Sequence, residues 1–336
     1  MTRKKIIIGI HGLGNKAPKS LLEKWWQASI GEGLEKIGRP REDIPFKIVY
    51  WADVLHPKPL DPEIKNPDDP LFMDEPYVSA KGKENPVESE FQIKLLHYLE
   101  GQIDRIFLND DLTINFKNVT DSFIRRYFQD LAAYYGDSHV SVIDPNISVK
   151  DEIQKRLSRV LEKYKKYDIM LISHSMGSIV AFDVLWEKAD KLNIETFITI
   201  GSPLGLPVIV ARIFAVQKMA NKRIKKPHAP ECIDGNWFNL SDLEDKVALD
   251  HTLSNDYAPN SMGVKVEDIN VFNNYEMNGE RNPHKSFGYL RTPEFAVVVD
   301  KFMKRRGRIR AYRYLSKKII YGMDAIKKLL KGEKDE

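Results

Sequence analysis

The sequence predicts an α/β fold in which helices cover both faces of a mainly parallel sheet. Short apolar runs alternate with helical stretches along much of the chain, and this alternation of strand and helix is typical of parallel sheets. With 336 residues, 42% of them hydrophobic, the chain is also long enough to bury a large core. We therefore expect one large domain, either uninterrupted or carrying an insertion.

Five strands are predicted from apolar runs that are too short to form helices alone. They are KIIIGI (5–10), FKIVYW (46–51), DIMLIS (168–173), TFITIG (196–201) and NWFNL (236–240). A helix over 20–38 separates the first two strands, and a strongly amphipathic helix over 149–167 precedes the third. Ligands of such sheets bind beyond the carboxyl ends of the strands, so we expect the functional residues there.

The alternation of strand and helix stops between about residues 53 and 147. Seven of the 18 prolines lie between Pro57 and Pro86, which indicates an extended loop. Helical periodicity then predicts helices at 88–108 and 121–135. We interpret 53–147 as an insertion that caps the site; the alternative is that these helices extend the core. The core domain is then formed by 1–52 and 148–306.

Composition excludes an internal disulfide and a membrane-spanning segment. Cys232 is the single cysteine of the chain, and no apolar run approaches the roughly 20 residues that cross a bilayer. The basic amino terminus resembles a signal peptide, but its apolar run ends at Ile10 and no cleavage site follows. We therefore expect a cytoplasmic protein.

The carboxyl-terminal tail, 307–336, differs in charge from the rest of the chain. Residues 301–336 contain 13 Lys and Arg residues and four acidic ones, whereas the preceding residues carry a small net negative charge. From Ile309 onward, apolar residues recur in steps of three and four, which predicts an amphipathic helix. Three placements are open for 308–331: on the protein body, against another subunit, or peripherally on an anionic membrane. The oligomeric state is also open, and we expect no nucleic-acid partner.

The segment DIMLISHSMGSIVAFDVL (168–185) places Ser175 at the joint between a buried strand and a buried helix. Such a tight joint requires strained backbone angles and small neighbours, here Ser173 and Gly177. It would present the hydroxyl at the carboxyl end of the sheet, in the manner of the nucleophile elbow G-x-S-x-G. The alternative is an ordinary strand–helix turn in which the serine caps the helix.

A serine nucleophile also needs N–H donors for the oxyanion. The elbow supplies the N–H of Met176. The first strand runs into His11-Gly12-Leu13-Gly14, whose glycines allow a turn that presents amides. We predict the Leu13 N–H as the second donor.

The segments IIIGIHGLG, LISHSMGSIVAFDVL, FITIGSPLGLP and WFNLSDLEDKVA, in this order, resemble the lipase-like α/β-hydrolases. The resemblance covers about two-thirds of the chain and departs from the elbow pattern at Ser173, which replaces a glycine. It implies a triad in the order serine, acid, histidine. By similarity to the D-P-V-A segment of the family the acid is Asp245, with Lys246 in place of proline, and Asp242 is the alternative.

The same resemblance implies that the base lies in a loop after the last strand, before a closing helix. His284 in NPHKSFGYLRTPEF fits this position, with a helix beginning near Pro293, and His251 is the alternative. The implied activity is a serine hydrolase that cleaves carboxylic esters, lipid or acyl esters above all. A thioesterase, an amidase or a non-catalytic binding scaffold are alternatives, and no metal or organic cofactor is needed.

Overall fold

The computed structural model of the protein describes residues 3–80, 131, 134–135, 147–189 and 191–305. The predicted helices at 88–108 and 121–135 lie outside the described residues, apart from 131, 134 and 135. The basic tail, 307–336, also lies outside them. The five predicted strands and the loop around His284 all belong to the described part of the chain.

The predicted parallel sheet is confirmed, and it has six strands. They are β1 (Lys5–Ile10), β2 (Phe46–Val49), β3 (Asp168–His174), β4 (Ile194–Ile200), β5 (Ile233–Ser241) and β6 (Val266–Asn270). Their order across the sheet is β2-β1-β3-β4-β5-β6, and every neighbouring pair is parallel. The first five correspond to the five predicted strands. A separate hairpin is formed by β7 (Glu276–Met277) and β8 (Glu280–Arg281).

The sixth strand was not predicted, because its sequence lacks a buried apolar run. β6 reads VEDIN, and only Val266 in it is fully buried. The strand lies at the edge of the sheet, beside β5. Edge strands are partly solvated and tolerate charged side chains, so hydrophobic periodicity gives little signal for them.

Six α-helices connect or cover the strands in the described residues. They are α1 (Lys19–Lys36), α2 (Val149–Lys163), α3 (Met176–Glu187), α4 (Pro207–Ala220), α5 (Ser286–Leu290) and α6 (Pro293–Lys304). Short 3₁₀ turns occur at Ala52–Val54, Pro203–Gly205 and Leu253–Asn255. The start of α6 agrees with the predicted closing helix, and Thr292 caps it by accepting from the Phe295 N–H.

The core has two layers, one on each face of the sheet. Along β1, Ile6, Ile8 and Ile10 pack with the apolar side chains of α2, α3 and α4, whereas Ile7 packs with those of α1, α5 and α6. Strands that are buried on both faces need apolar residues at every position. This explains the unbroken apolar runs IIIGI of β1 and IMLI of β3.

The residues predicted to be functional lie at the carboxyl-terminal end of the sheet. The carboxyl ends of β3, β4 and β5 meet there and lead into Ser175, Gly201 and Asp242. The closing loop with His284 lies directly before α5, which packs beside α1.

Candidate active site

Ser175 occupies the joint between β3 and α3 with the strained backbone expected there. Its φ is 54° and its ψ is −133°, a combination that non-glycine residues rarely adopt. The Ser175 N–H donates to the carbonyl oxygen of Ile200 at 3.1 Å, which ties the elbow to the end of β4. The residue is 1% exposed. The neighbouring strands therefore hold Ser175 in this strained conformation.

Ser173, the departure from the elbow pattern, fits because its hydroxyl has a partner inside the sheet. Its Oγ donates to the carbonyl oxygen of Ile198 at 3.2 Å, and the residue is fully buried. A buried hydroxyl without an acceptor would be destabilising. The contact therefore explains how a serine replaces the usual glycine without distorting the elbow.

His284 joins Ser175 to Asp245. Its Nδ1 lies 2.9 Å from each carboxylate oxygen of Asp245, and its Nε2 lies 3.0 Å from the Ser175 Oγ. An ionised carboxylate only accepts, so Nδ1 carries the proton. In the neutral imidazole Nε2 is then an acceptor, and the serine hydroxyl donates to it. The three predicted residues, far apart in sequence, therefore form one chain of hydrogen bonds.

Asp245 is fully buried and surrounded by donors. Besides His284, it accepts from the Tyr289 hydroxyl at 2.7 Å and from the Val247 N–H at 2.9 Å. Burial acts to raise the pKa of this carboxyl, but the charge and hydrogen bond of His284, with the Tyr289 and Val247 bonds, leave the pKa below its usual value. The side chain is thus held as a carboxylate that faces the imidazole.

Asp242, the alternative acid, has a different set of partners. Its Oδ2 pairs with Arg281 Nη1 at 2.8 Å and accepts from the Asn273 N–H at 2.6 Å, while Oδ1 accepts from the Glu244 N–H. Burial raises the pKa of this carboxyl despite these contacts. The structure therefore brings Asp245, and not Asp242, to His284.

His251, the alternative base, is buried on the loop that follows β5. Its carbonyl oxygen accepts from Asn239 Nδ2 at 3.2 Å. His251 is not among the described residues that line the cleft around Ser175. The side chain that lies next to the Ser175 hydroxyl is that of His284.

Tyr289 is a residue of this site that the sequence interpretation missed. It lies on α5, fully buried, and its hydroxyl donates to Asp245 while accepting from the Asp242 N–H at 2.9 Å. One hydroxyl thus connects the loop after β5 with α5. Its position five residues after His284 gave no signal by itself, because tyrosines in helices mostly fill cores.

Two further histidines support the site as neutral side chains. His174 Nε2 donates to the His284 carbonyl oxygen at 2.7 Å, and burial holds the pKa of His174 well below its usual value. His11 donates from Nδ1 to the Gly12 carbonyl and accepts at Nε2 from the Trp51 N–H at 3.0 Å. Burial lowers the pKa of His11 as well. The hydrogen bonds of both rings are with backbone groups.

The His11-Gly12-Leu13-Gly14 turn lies directly against Ser175. A side chain at Gly12 would put its Cβ 2.6 Å from the Ser175 Cβ, so a glycine is required for the turn to approach this closely. The Lys16 ammonium donates to the carbonyl oxygens of Leu13 and Gly14 and holds the turn from the other side. Met176 is the first residue of α3, where the N–H lacks an intrahelical acceptor.

A cleft of about 450 Å³ opens at Ser175 and His284. Part of its wall comes from the proline-rich segment after β2, including Leu60, Phe72 and Met73, and part from Trp25 on α1 and Phe287 on α5. The cleft wall also includes charged and polar groups, among them Lys16, Glu75, Asn282 and Lys285. The site therefore combines an apolar wall with a polar margin beside the imidazole.

Glu75 contacts the loop that carries His284, and it too was missed. Its carboxylate accepts from Asn282 Nδ2 at 2.7 and 2.9 Å and pairs with Lys285 Nζ at 3.0 Å. These contacts join residues more than 200 positions apart within a proline-rich segment, where the sequence offers no periodic signal.

The described part of the chain shows neither a metal site nor a membrane-spanning helix. Among those residues, no three His, Cys, Asp or Glu side chains are grouped so that they could hold a metal ion. No described helix is both long and apolar enough to cross a bilayer.

Comparison with protein families matches residues 93–274 to a family described as PGAP1-like alpha/beta domain. The match covers more than half of the chain, and it includes the segment from α2 to β6 with Ser175 and Asp245. A comparison with curated proteins gave no match.

Proposed function

Since the chain belongs to the family of PGAP1-like alpha/beta domains, which has a lipase-type α/β-hydrolase fold, we propose that it is a serine hydrolase for carboxylic esters. Membership of the family supports a hydrolase-type function in general. The specific proposal of ester cleavage is carried by one observation, the hydrogen-bonded chain from Ser175 through His284 to Asp245.

In the proposed mechanism, the Ser175 hydroxyl attacks the ester carbonyl carbon while His284 Nε2 takes its proton. A neutral serine hydroxyl is a weak nucleophile until a base removes that proton. The 3.0 Å contact supports this step, because a base must lie within hydrogen-bond reach of the proton. Asp245 holds the imidazole in the required tautomer and stabilises its charged form.

The N–H groups of Leu13 and Met176 are proposed to bind the oxyanion of the tetrahedral intermediate. The close approach of Gly12 to Ser175 supports this role for the turn. His284 then gives its proton to the leaving alcohol, which leaves an acyl group on Ser175. Water, activated by the same imidazole, hydrolyses the acyl-enzyme and restores the serine.

The substrate class proposed is a lipid or acyl ester. The apolar part of the cleft wall, with Trp25, Phe72, Met73 and Phe287, supports an acyl group as the part of the substrate that is buried. Apolar walls with a few polar groups near the reacting atoms are typical of small-molecule sites. Soluble esters of increasing chain length measure how much of that wall is used.

Labelling with a fluorophosphonate probe tests the nucleophile. We expect the wild type to be labelled and the Ser175→Ala variant to remain unlabelled. With p-nitrophenyl esters, Ser175→Ala and His284→Ala should each lower kcat by several orders of magnitude without unfolding the protein, because triad members act as a unit. A folded wild type that neither reacts with the probe nor turns over esters would favour a binding scaffold. Faster turnover of the matching thioester or amide would reassign the substrate class.

The location of the enzyme is a separate proposal: a cytoplasmic protein whose segment 308–331 contacts anionic membranes. Cations near such a surface contribute about 1 kcal/mol each, and the tail is rich in them. Co-sedimentation with phosphatidylserine vesicles at low and high salt tests this. Binding should fall when Arg308, Arg310, Arg313, Lys317 and Lys318 are changed to Gln. Equal binding of the two proteins, or none, would favour packing on the body or against another subunit.

A further inference from the structure

We propose that Glu75, supplied by the insertion, is a positioning residue that fixes the loop carrying His284. The inference rests on the proposed function, since it assigns a partner to the proposed base. It also changes the interpretation of the insertion. Residues 70–80 then position the loop that carries His284, in addition to lining the cleft.

The Glu75 carboxylate holds both neighbours of the turn around His284. Oε1 and Oε2 accept from Asn282 Nδ2 at 2.7 and 2.9 Å, and Oε2 pairs with Lys285 Nζ at 3.0 Å. The amide oxygen of Asn282 in turn accepts from the His284 N–H at 2.9 Å. Asn282 therefore transmits the position of Glu75 directly to the backbone of the histidine.

The opposite side of the loop is held by the core. Asn273 Nδ2 donates to the carbonyl oxygens of Pro283 and Lys285 at 2.7 and 2.8 Å, and His174 Nε2 donates to that of His284 at 2.7 Å. These bonds fix the backbone from the core side, and Glu75 fixes it from the insertion. A loop that is held on two sides keeps the imidazole at one distance from Ser175.

Glu75 can serve as a fixed point because the residues after it are anchored. The Pro76 carbonyl accepts from the Tyr275 hydroxyl at 2.6 Å, and the Val78 carbonyl accepts from Arg291 Nη1 at 2.6 Å. The Tyr77 hydroxyl donates to Glu32 on α1 at 2.6 Å. The segment is thus joined to buried groups of the core, and its carboxylate is not a freely moving surface side chain.

The charges around His284 provide a second test of the same contact. Asp245 faces the imidazole from the loop after β5, and the neutral His174 faces it from the end of β3. Lys285 and Glu75 flank it on the cleft side. The side chains of Lys285 and Glu75 are only 25% and 33% exposed. Although burial opposes ionisation, the Lys285 charge and the bonds from Asn282 and Lys285 hold the pKa of Glu75 below its usual value. Burial lowers the pKa of Lys285, and the charge and hydrogen bond of Glu75 oppose that shift. The Glu75–Lys285 ion pair therefore flanks the proposed base.

The position of Glu75 in sequence connects the base to the substrate wall. Phe72 and Met73, three and two residues earlier, line the cleft. A substrate that packs on them contacts the same anchored segment that holds the histidine loop. Loss of the segment would therefore affect proton transfer as well as chain-length preference.

The test compares full-chain variants with a soluble short-chain p-nitrophenyl ester. Glu75→Ala should lower kcat about 10- to 100-fold with KM within about threefold, because a small displacement of a catalytic group has an effect of this size. Glu75→Gln keeps an acceptor for Asn282, so it should lower kcat less than Glu75→Ala does. Glu63→Gln is the matched control, a carboxylate of the same proline-rich segment that does not line the cleft, and should match the wild type.

The pH profile distinguishes positioning from a general structural effect. Removing the anion in Glu75→Gln destabilises the imidazolium, so the acid limb of kcat/KM should move to lower pH. Removing the cation in Lys285→Met should move it to higher pH, each by on the order of half a pH unit. The proposal would be overturned if Glu75→Ala kept the wild-type kcat. It would also be overturned if the acid limbs of both variants stayed at the wild-type pH while their melting temperatures fell. A wild type that is neither labelled by the fluorophosphonate nor active would instead refute the proposed function.

Discussion

Gly201→Ala should lower the activity although it leaves Ser175, His284 and Asp245, the proposed triad, unchanged in the sequence. Gly201 follows β4 with φ 52°, and its N–H donates to the Leu240 carbonyl. An added Cβ would lie 2.7 Å from Asp245 Oδ2, 3.0 Å from Tyr289 Cε2 and 3.1 Å from His284 Nδ1. Ordinary contacts begin at 3.4 Å, so the Asp245 carboxylate would have to move by roughly 0.7 Å.

The size of the effect follows from that displacement. A misplacement of about 1 Å in a catalytic group can cost about 100-fold in rate, so we expect Gly201→Ala to lower kcat between about 10- and 100-fold. The left-handed backbone adds a separate cost of about 1–2 kcal/mol to folding, because Cβ approaches the following carbonyl. The variant should therefore fold with reduced stability and react slowly.

Gly263→Ala separates the two effects. Gly263 also has a positive φ, 75°, but nothing lies within 4 Å of the position that its Cβ would take. Both variants should lose free energy of unfolding in urea titrations, whereas only Gly201→Ala should lose ester turnover and fluorophosphonate labelling. Turnover within about threefold of the wild type in Gly201→Ala, or an equal loss in Gly263→Ala, would contradict this account of the triad geometry.

Three other predictions concern the acid, its tyrosine partner and the pH dependence of folding. Asp245→Asn should lower kcat far more than Asp242→Asn, because only the acid bonded to His284 holds the imidazole tautomer; the reverse order would reassign the triad acid. Tyr289→Phe should lower kcat about tenfold and destabilise the protein by about 1–3 kcal/mol, since the buried Asp242 N–H loses its acceptor and Asp245 loses a donor; unchanged urea unfolding would refute this. The pKa of Glu75 is lower in the folded protein, so its contribution to stability is present above about pH 4 and is lost as the pH falls through the folded value. The stability difference between the wild type and Glu75→Gln should therefore shrink below about pH 4, and a constant difference from about pH 3 to 7 would contradict it.

Those features of the protein that depend on local pattern could be predicted from the sequence. The strands β1 to β5 were predicted from their apolar runs, which burial on both faces requires in a strand such as β1. The turn at Ser175 was predicted because the chain changes from strand to helix within two residues. The order of Ser175, Asp245 and His284 could be proposed only through the resemblance to the lipase-like α/β-hydrolases, which implies the order serine, acid, histidine.

The features that could not be predicted from the sequence depend on contacts between distant segments. Asp242 and Asp245 are three residues apart in one loop, and no local pattern distinguishes a carboxylate that meets Arg281 from one that meets His284. The polar edge strand β6 was missed because half-solvated strands lack an apolar run.

Tyr289 and Glu75 show why the surroundings of the triad needed the tertiary structure. The hydroxyl of Tyr289 reaches Asp245 across 44 positions, and Glu75 reaches Lys285 across 210. Sequence patterns report periodic burial within one element, whereas hydrogen bonds between loops depend on how the elements pack. The sequence alone therefore determined the strands β1 to β5 and the elbow at Ser175, and the family resemblance added the order of the proposed triad. The packing of α5 and of residues 70–80 decided which side chains hold those residues in place, because only packing brings such distant donors and acceptors within about 3 Å of each other.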